Sequence, residues 1–288
     1  MSRRELHFGP HTVALEHADK VLFPELGITK GDLADYYVAV AAVMLPHLTG
    51  RPVTLERYPD GVGKNGFFQK ETPHHFPDFV PRSTQAKEGG STRYTLVENT
   101  ATLAYLVGQG TITPHVWLSR ADRPKNPDRM IFDLDPPQGG FGLVLAAARE
   151  LRAVLEKRGY YCQVMTTGSK GLHVVVPLGR SADFDQVRAE ARDIASELES
   201  DRFTLEQRKD KRDGRLYLDV MRNGYAQTTV APYAVRARQH ASVAVPLDWD
   251  ELDDDLRPDG FSMQSVLDRL EQREDPWKGL GRHARRLR

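Results

Sequence analysis

The sequence of 288 residues predicts an α+β fold with a mostly antiparallel sheet. Strand and helix patterns are interspersed along the chain, without the regular strand–helix alternation that builds a parallel sheet. Two apolar strand patterns are joined by only the short segment Gly168–Gly171, which is typical of a hairpin. No internal repeat or low-complexity segment is found, so a solenoid or a disordered chain is not indicated.

The first elements follow from local signals. Residues 1–28 are predicted to form an irregular or strand-rich arm. Thr29 and Asp32 have the spacing of a capping box, which predicts an amphipathic helix that continues to about Leu48 and ends at Gly50. A strand is predicted over residues 52–58, and a proline- and glycine-rich turn follows it.

The later elements are predicted from the period of their apolar residues. Helices are expected over residues 98–108, 143–157, 184–198 and 262–273. Strands are expected over residues 111–118, 130–135, 162–166, 172–177, 216–221 and 228–235.

Composition narrows the class of protein. The chain is 40% hydrophobic and 28% charged, which is ordinary for a globular protein. The sequence has no run of about 18 apolar residues and no secretory signal pattern, so no membrane partner is expected. The single cysteine, Cys162, excludes an internal disulfide and a thiolate zinc site and fits a reducing, cytoplasmic setting.

The formal net charge of zero argues against a protein that simply coats nucleic acid, since such proteins are strongly basic. It does not argue against an enzyme, because the carboxylates of a catalytic site would offset nearby basic residues.

Three acids form the most informative pattern. Asp133 and Asp135 alternate with apolar residues in one predicted strand, so they share a face, and Asp219 lies on the polar face of another. Neighbouring carboxylates repel each other unless a cation lies between them, and hard oxygen ligands suit magnesium or manganese. The alternative is a set of exposed strand aspartates, although Asp is disfavoured in strands. Sugar transferases and phosphatases also carry Asp-x-Asp, so the motif alone does not name the reaction.

A turn over residues 167–171 precedes His173 on the next strand. Its glycines allow close approach of the backbone, while hydroxyls and Lys170 could face an anion. The order of residues differs from that of a P-loop. A plain hairpin turn with an exposed lysine is the alternative, and the neighbouring acids favour a phosphate site.

Together these stretches resemble the polymerase domain of bacterial ligase D, a member of the archaeo-eukaryotic primase superfamily used in non-homologous end joining. The resemblance covers nearly the whole chain in the order of the family. The motifs that carry it are Phe132–Pro137, Thr167–His173, Leu218–Asn223, Lys20–Pro24 with Thr29–Leu33, and Arg57–Gly61 with Phe67–Lys70.

The resemblance implies an archaeo-eukaryotic primase-like fold, in which helices flank a central sheet that carries the acidic site. It implies one primase-polymerase domain over residues 1–288. Within it we expect an N-terminal part (1–100) with 5′-phosphate and template contacts, a catalytic core (101–240) and a C-terminal helical tail (241–288).

The resemblance also implies the site residues. Two manganese or magnesium ions would be held by Asp133, Asp135 and Asp219. The incoming nucleotide would be bound by His115, Thr167, Ser169, Lys170, His173, Arg222 and Arg236. The 5′-phosphate of DNA would be bound by His17, Lys20 and Lys30, and the template would stack on Phe67 and Phe68.

Several of these assignments have alternatives. His115 and Thr167 would lie near the sugar, where the family favours ribonucleotides, yet His115 also fits a core histidine. The family often has Ser at position 167 and commonly Asn at position 17. Solvated side chains are the alternative for Lys20 and Lys30, and surface arginines for Arg222 and Arg236. Adjacent strand residues face opposite ways, so at most one of the two phenylalanines is expected in the core.

The implied function is a template-directed nucleotidyltransferase that fills gaps and extends 3′ ends during end joining, with a preference for ribonucleotides. Its expected partners are DNA with 3′ overhangs or 5′-phosphorylated gaps, nucleoside triphosphates, a Ku-like end-binding protein and a separate ligase. A stand-alone homologue or an excised domain, cytoplasmic and associated with the nucleoid, fits this expectation. The alternatives are a replicative-type primase, a non-catalytic end-bridging module and a metal-dependent phosphodiesterase.

Overall fold

A computed structural model of the chain describes residues 2–137 and 139–287. The helices are α1 (Lys30–Ala39), α2 (Ala41–Leu48), α3 (Thr100–Gly108), α4 (Phe141–Lys157), α5 (Phe184–Ser196) and α6 (Met263–Gln272). The strands are β1 (Arg3–Phe8), β2 (His11–Glu16), β3 (Val21–Phe23), β4 (Ile28–Thr29), β5 (Val53–Arg57), β6 (Phe67–Gln69), β7 (Arg82–Lys87), β8 (Gly90–Thr95), β9 (Thr111–Trp117), β10 (Arg129–Asp135), β11 (Gln163–Thr166), β12 (Leu172–Pro177), β13 (Phe203–Thr204), β14 (Leu216–Asp219), β15 (Thr228–Val230) and β16 (Pro246–Leu247).

The chain divides into two compact units, each built from three segments. Unit 1 contains residues 1–117, 230–243 and 262–273. Unit 2 contains residues 118–229, 244–261 and 274–288. The expected boundaries near residues 100 and 240 stay a prediction.

Unit 2 is organised around one sheet with the strand order β13-β14-β10-β12-β11-β16. Its pairs are antiparallel except β13 with β14, which run parallel. Helices α4 and α5 pack against β10. The central strands contribute fully buried side chains such as Phe132, Leu134 and Val174. The α+β class with mostly antiparallel pairing is confirmed.

Unit 1 combines strand pairs and helices. The β1–β2 hairpin and helix α1 both contact α3, and a sheet contains β9-β5-β8-β7, with β6 also paired to β5. Buried Tyr37 links these layers, because its hydroxyl donates to the carbonyl of Ile112 at 2.6 Å and accepts from the amide of Val235 at 3.0 Å. The strand-rich arm expected over residues 1–28 is confirmed by β1 to β4.

The N-terminal helix begins as predicted but does not continue as one element. The Thr29 side chain accepts from the Asp32 amide, and the Asp32 carboxylate accepts from the Thr29 amide, so the capping box is confirmed. The helix predicted to reach Leu48 is wrong in its continuity, because Val40 separates α1 from α2. At Val40 ψ is 0° and the amide hydrogen bonds to both Tyr36 and Val38, a tightened turn that ends the first helix.

Two predicted strands are shorter than expected, and several others were not predicted. The strand predicted over 216–221 ends at Asp219, whose carboxylate accepts from the Met221 amide at 2.7 Å and turns the chain. The strand predicted over 228–235 ends at Val230, and Tyr233 then has φ 65°, outside the extended region. The β7–β8 hairpin and β13 also went unpredicted because they lack a strong apolar period.

None of the helices in the described part combines the length and the apolar sequence needed to cross a membrane. Cys162 is buried, and burial raises the pKa of its thiol to about 12.

The Asn223 side chain continues the hydrogen-bond pattern between β10 and the chain that follows β14. Its side chain accepts from the Ile131 amide at 2.8 Å and donates to the Ile131 carbonyl at 2.7 Å. It also donates to the Val220 carbonyl at 2.9 Å, and the residue is fully buried. A side-chain amide therefore takes the place of a strand residue here.

We predict that Asn223→Ala lowers the free energy of unfolding by about 2–4 kcal/mol, because buried backbone groups of Ile131 lose their partners. Urea unfolding followed by circular dichroism measures this change. Asn126→Ala is the matched control, since the Asn126 amide donates one bond, to the Ala182 carbonyl, and is partly exposed. Equal losses in both variants would contradict the role given to Asn223.

Candidate active site

The three predicted acids lie on adjacent strands of unit 2. Asp133 of β10 is in register with Asp219 of β14 on one side and with His173 of β12 on the other. Asp135 lies two residues further along β10, opposite Tyr217. The apolar neighbours of the acids are buried on the other face, as the alternation predicted. The sheet therefore places the acids and His173 on one face.

Positive groups surround Asp133 more closely than the other acids. The His173 Nε2 atom lies 3.6 Å from one Asp133 oxygen, and the Arg222 Nε atom lies 3.5 Å from the other. Arg222 also lies 3.9 Å from Asp219. Asp135 faces Arg212 at 3.9 Å.

The three carboxyl groups have different proton affinities. Burial would raise the pKa of Asp133, but the charges and hydrogen bonds of His173 and Arg222 hold it below the ordinary value. Burial, together with the negative charge of Asp133, raises the pKa of Asp135 and of Asp219. The face is therefore short of positive charge around Asp135 and Asp219.

These residues fit a divalent metal. A bound cation would supply the positive charge that the acids lack, and carboxylate oxygens are the ligands that magnesium and manganese prefer. His173 also has a buried Nδ1 atom that finds no hydrogen-bond partner among the described residues. Such an orphaned polar atom inside an acidic site is consistent with a ligand-binding face.

The closest clustering of carboxylates occurs elsewhere. Within the described residues, the group of three whose ligand atoms all lie within 4.8 Å of one another is Asp248, Asp250 and Glu251. Asp248 and Glu251 form a capping box around the short helical turn Trp249–Glu251. Local capping accounts for this cluster. The acids of β10 and β14 do not form such a group of three within 4.8 Å among the described residues.

The turn between β11 and β12 packs directly on the acidic strand. A Cβ atom at Gly171 would lie 2.0 Å from the carbonyl oxygen of Leu134, so only glycine fits here. Gly168 has φ 62°, a conformation that glycine adopts without strain. The Thr167 hydroxyl donates to the Gly171 carbonyl at 3.0 Å, which stabilises the turn. The hydroxyl expected near the sugar is thus engaged within the turn itself.

A cavity of about 700 Å³ opens beside Asp135. Ser169 and Lys170 line it from the turn, as the sequence predicted for an anion site. Arg212, Arg215 and Lys209 line it from the segment before β14, and these three were not predicted. The charged run at residues 208–212 was the available signal, but only the fold shows that it faces the acids.

His115, expected near the sugar, belongs to unit 1 and is held by a carboxylate. Its Nε2 atom lies 2.9 Å from an oxygen of Glu56, and its ring meets Phe68 edge-on at 5.5 Å. Burial would raise the pKa of Glu56, but the hydrogen bond and charge of His115, with the charge of Arg236, hold it below the ordinary value. Glu56, which sequence reasoning missed, positions the ring of His115.

Lys30 is not the solvated lysine that one alternative described. The residue is only 7% exposed, and its ammonium donates to the carbonyls of Glu16 at 3.0 Å and Gly108 at 3.3 Å. Burial and the neighbouring charge of Lys20 lower its pKa. A buried cation held by two backbone carbonyls is a fixed positive charge near the start of α1.

Lys20 and His17 lie in the same unit. The Lys20 ammonium donates to Asp60 at 2.8 Å, and the Lys20 amide donates to the His17 carbonyl at 3.0 Å. His17 has φ 55°, in the left-handed region that Asn, Asp and His enter more readily than other side chains.

The two phenylalanines of β6 are both at the surface. Phe67 is 47% exposed and Phe68 is 62% exposed, so neither belongs to the core. The Arg57 guanidinium lies 5.3 Å from the Phe67 ring centre. Two exposed aromatic rings on one short strand are unusual in a soluble fold and suit a stacking surface.

Comparison with known proteins agrees with this architecture. The fold and its chemistry place the chain among the nucleotidyltransferases of the primase-polymerase class. The family described as "LigD, primase-polymerase domain" matches residues 29–277. The chain belongs to this LigD family.

Relatives and a solved structure show the same likeness. "Multifunctional non-homologous end joining protein LigD" of Mycolicibacterium smegmatis is 37% identical over 270 residues, covering 91% of this chain and 35% of that protein. "Bifunctional non-homologous end joining protein LigD" of Bacillus subtilis is 32% identical over 264 residues, covering 90% and 42%. The structure "Polymerase Domain from Mycobacterium tuberculosis Ligase D in complex with DNA" has a TM-score of 0.89 at 36% identity, covering 94% of this chain and 99% of that one. The chain thus spans 35% to 42% of the length of these curated relatives.

We predict that Glu56→Gln lowers stability at pH 7 by about 1–3 kcal/mol, because a charge-assisted hydrogen bond to His115 becomes neutral. The pKa of Glu56 is depressed in the folded state, so its contribution is present above the unfolded value of about 4.3 and is lost as the pH falls below it.

Urea unfolding at several pH values checks this prediction. The difference in the free energy of unfolding between wild type and Glu56→Gln should become smaller as the pH falls through about 4. A difference that stays constant down to acidic pH would show that Glu56 contributes through packing rather than through its charge.

Proposed function

We propose that this chain is a template-directed polymerase that fills gaps and extends 3′ ends of DNA during non-homologous end joining. The observation that carries the proposal is the register that sets Asp133 between Asp219 and His173, with Asp135 beside a basic cavity. Relatives named for end joining, and a similar polymerase domain solved with DNA, support the biological setting.

The acids would hold two manganese or magnesium ions. Bound ions supply Lewis acidity, which polarises the α-phosphate and stabilises the attacking and leaving oxygens. Asp133 and Asp135 share one face of β10 and would contact both ions, while Asp219 would contact mainly one of them. Their ionised form is required, so the low pKa of Asp133 keeps at least one ligand charged.

The triphosphate would occupy the cavity beside Asp135. Ser169 and Lys170 line this cavity together with Arg212. The primer 3′-oxygen attacks the α-phosphorus, the bond to the bridging oxygen breaks, and pyrophosphate leaves with the electron pair. Lys170, His173 and Arg222 would neutralise the charge that develops on the phosphates.

A preference for ribonucleotides would depend on His115. Glu56 orients this ring through a hydrogen bond of 2.9 Å, and a fixed imidazole is suited to contact a sugar hydroxyl. Thr167 would also contribute to this preference, and its hydroxyl donates to the Gly171 carbonyl within the turn. Arg236, whose charge acts on Glu56, belongs to the same group.

DNA would be bound through its 5′-phosphate and its template strand. His17, Lys20 and Lys30 supply the phosphate contacts, and the exposed rings of Phe67 and Phe68 supply the stacking surface. A Ku-like end-binding protein and a ligase would act with the chain as partners.

We predict that primer extension on a gapped duplex falls by at least about 10²–10³-fold in Asp133→Ala, because the ligand set is broken. Asp219→Ala should also abolish extension but leave nucleotide binding largely intact. The assay uses manganese and compares ribonucleotides with deoxynucleotides.

Asp250→Ala is the matched control, since Asp250 is an exposed acid of the capping cluster, and it should keep wild-type activity. Binding of the gap without any extension by the wild type would favour an end-bridging module. Primer degradation would indicate a phosphodiesterase, and synthesis without a primer would indicate a replicative-type primase.

We predict that Lys20→Ala weakens binding to 5′-phosphorylated gaps by about tenfold, the effect of losing one charged hydrogen bond, and spares 5′-hydroxyl gaps. Lys20 is a cleaner test than Lys30, which also holds two backbone carbonyls. Fluorescence anisotropy on both duplexes measures the difference.

Two neighbouring variants sharpen this test. Asp60→Asn removes the carboxylate that competes with phosphate for Lys20, so it should strengthen binding to the phosphorylated gap. Lys64→Ala removes a nearby exposed cation and should weaken binding to both duplexes equally. Equal losses of affinity for the phosphorylated and the hydroxyl duplex in Lys20→Ala would refute the 5′-phosphate contact.

A further inference from the structure

A second cavity lies in unit 2, apart from the acidic face. It measures about 360 Å³ and is lined by residues that follow α4, including Gly159 and Tyr161, and by the C-terminal residues 282–285. Residues 282–285 fall outside the range 29–277 that matches the LigD family. Nothing in the proposed polymerase reaction uses this cavity.

The topology separates the two cavities. Phe141, at the start of α4, lines the cavity beside Asp135, whereas Glu156, near its end, lines the second one. A helix of this length, Phe141–Lys157, spans roughly 25 Å at 1.5 Å per residue. A ligand in the second cavity therefore does not touch the acids.

The C-terminal segment is fixed to the sheet. Leu178, directly after β12, forms a bridge with Arg285, and the Gly179 amide donates to the Arg285 carbonyl at 2.8 Å. Buried Trp277 anchors the preceding residues, since its Nε1 atom donates to the Val164 carbonyl at 3.2 Å. The cavity wall is therefore held by backbone contacts and a buried side chain.

One wall of the cavity is aromatic. The rings of Tyr161 and His283 stack with centres 3.9 Å apart and planes 16° apart. The Tyr161 hydroxyl accepts from Gln163 at 2.9 Å, which fixes the ring, and Tyr161 is 36% exposed. A fixed and partly exposed ring pair offers a flat surface to a planar ligand.

The other wall is basic. In the part of the chain that the structure describes, neither Arg282 nor Arg285 lies within 4.0 Å of a carboxylate. The single acid that lines the cavity, Glu156, accepts from Arg152 at 2.7 Å. The cavity therefore carries positive charge without a balancing partner, next to a stacking surface.

We propose that this cavity binds one nucleotide unit, with the phosphate on Arg282 and Arg285 and the base stacked on the Tyr161–His283 pair. Arginine forks recognise phosphate, and stacking of a base on an aromatic ring contributes about 1–3 kcal/mol. A volume of about 360 Å³ lies within the usual range for small-ligand sites, about 300–1,000 Å³. The nucleotide is either free or part of a single strand.

Photo-cross-linking of the full chain tests the proposal directly. A single-stranded oligonucleotide that carries 5-iododeoxyuridine is irradiated with the protein in EDTA, and the labelled peptides are identified by mass spectrometry. We expect label on Tyr161 or His283. Label confined to residues 57–70, 133–137 or 167–173 would overturn the proposal.

Salt-dependent binding gives a second, independent measurement. Arg282→Ala combined with Arg285→Ala should reduce the slope of log affinity against log salt by about 0.7, the value for one phosphate that is no longer neutralised on a single strand. Arg286→Ala, a neighbouring exposed arginine outside the cavity, is the control and should change the slope by at most half as much. Equal slopes for wild type and the double variant would overturn the proposal.

Comparison of Tyr161→Ala with Tyr161→Phe distinguishes the loss of base stacking from a loss of folded structure. The phenylalanine variant keeps the ring and should keep the cross-link at His283, whereas the alanine variant should lose at least about fivefold in affinity. Equal affinity in the two variants would refute the stacking role.

Competition with adenosine monophosphate distinguishes the two sources of the nucleotide. Loss of the Tyr161 or His283 label at millimolar mononucleotide identifies a free ligand, and persistence of the label identifies the strand. Primer extension should stay unchanged in Arg282→Ala with Arg285→Ala. Because the cross-link needs neither metal nor catalysis, it is interpretable even if the polymerase proposal fails.

Discussion

The structure of unit 2 depends on how one buried negative charge is balanced. Asp133 lies in the middle of a sheet, where an isolated carboxylate would be costly to bury. His173 from one neighbouring strand and Arg222 from the chain after the other lie against this carboxylate and lower its pKa. This arrangement requires β12, β10 and β14 to be adjacent and in register, so the electrostatics of one residue constrain the order of three strands.

Close packing adds a second constraint on the same strand. Gly171 brings the turn against the carbonyl of Leu134, between Asp133 and Asp135 in sequence. The residues that would contact phosphate are therefore positioned by the backbone that carries the acids. In unit 1, Glu56 has a similar role. It lies on β5, which pairs with β6 on one side and β9 on the other, and it fixes His115 of β9.

The sequence predicts local features well because they depend on local rules. Alternation placed Asp133 and Asp135 on one face, and the spacing of Thr29 and Asp32 predicted a helix start that the structure confirms. The facing of Arg212 toward Asp135 and the pairing of Glu56 with His115 depend on residues distant in the chain. No period or short motif encodes such contacts, so sequence reasoning missed them. The roles assigned to individual site residues remain predictions.

The side chain of Asn223 has a chemical consequence as well as a structural one. Asn223 is followed by Gly224, and in an Asn-Gly pair the glycine nitrogen readily attacks the carbonyl carbon of the side-chain amide. Ammonia is lost as a cyclic imide forms, and water then opens the ring to leave a carboxylate. The folded protein opposes this reaction by holding the amide between Ile131 and Val220. If the strands separate and deamidation occurs, the new carboxylate offers no donor for the two carbonyls. Transient opening of the strands would then lead to an irreversible covalent change, which is detected as an acidic charge variant in an ageing sample.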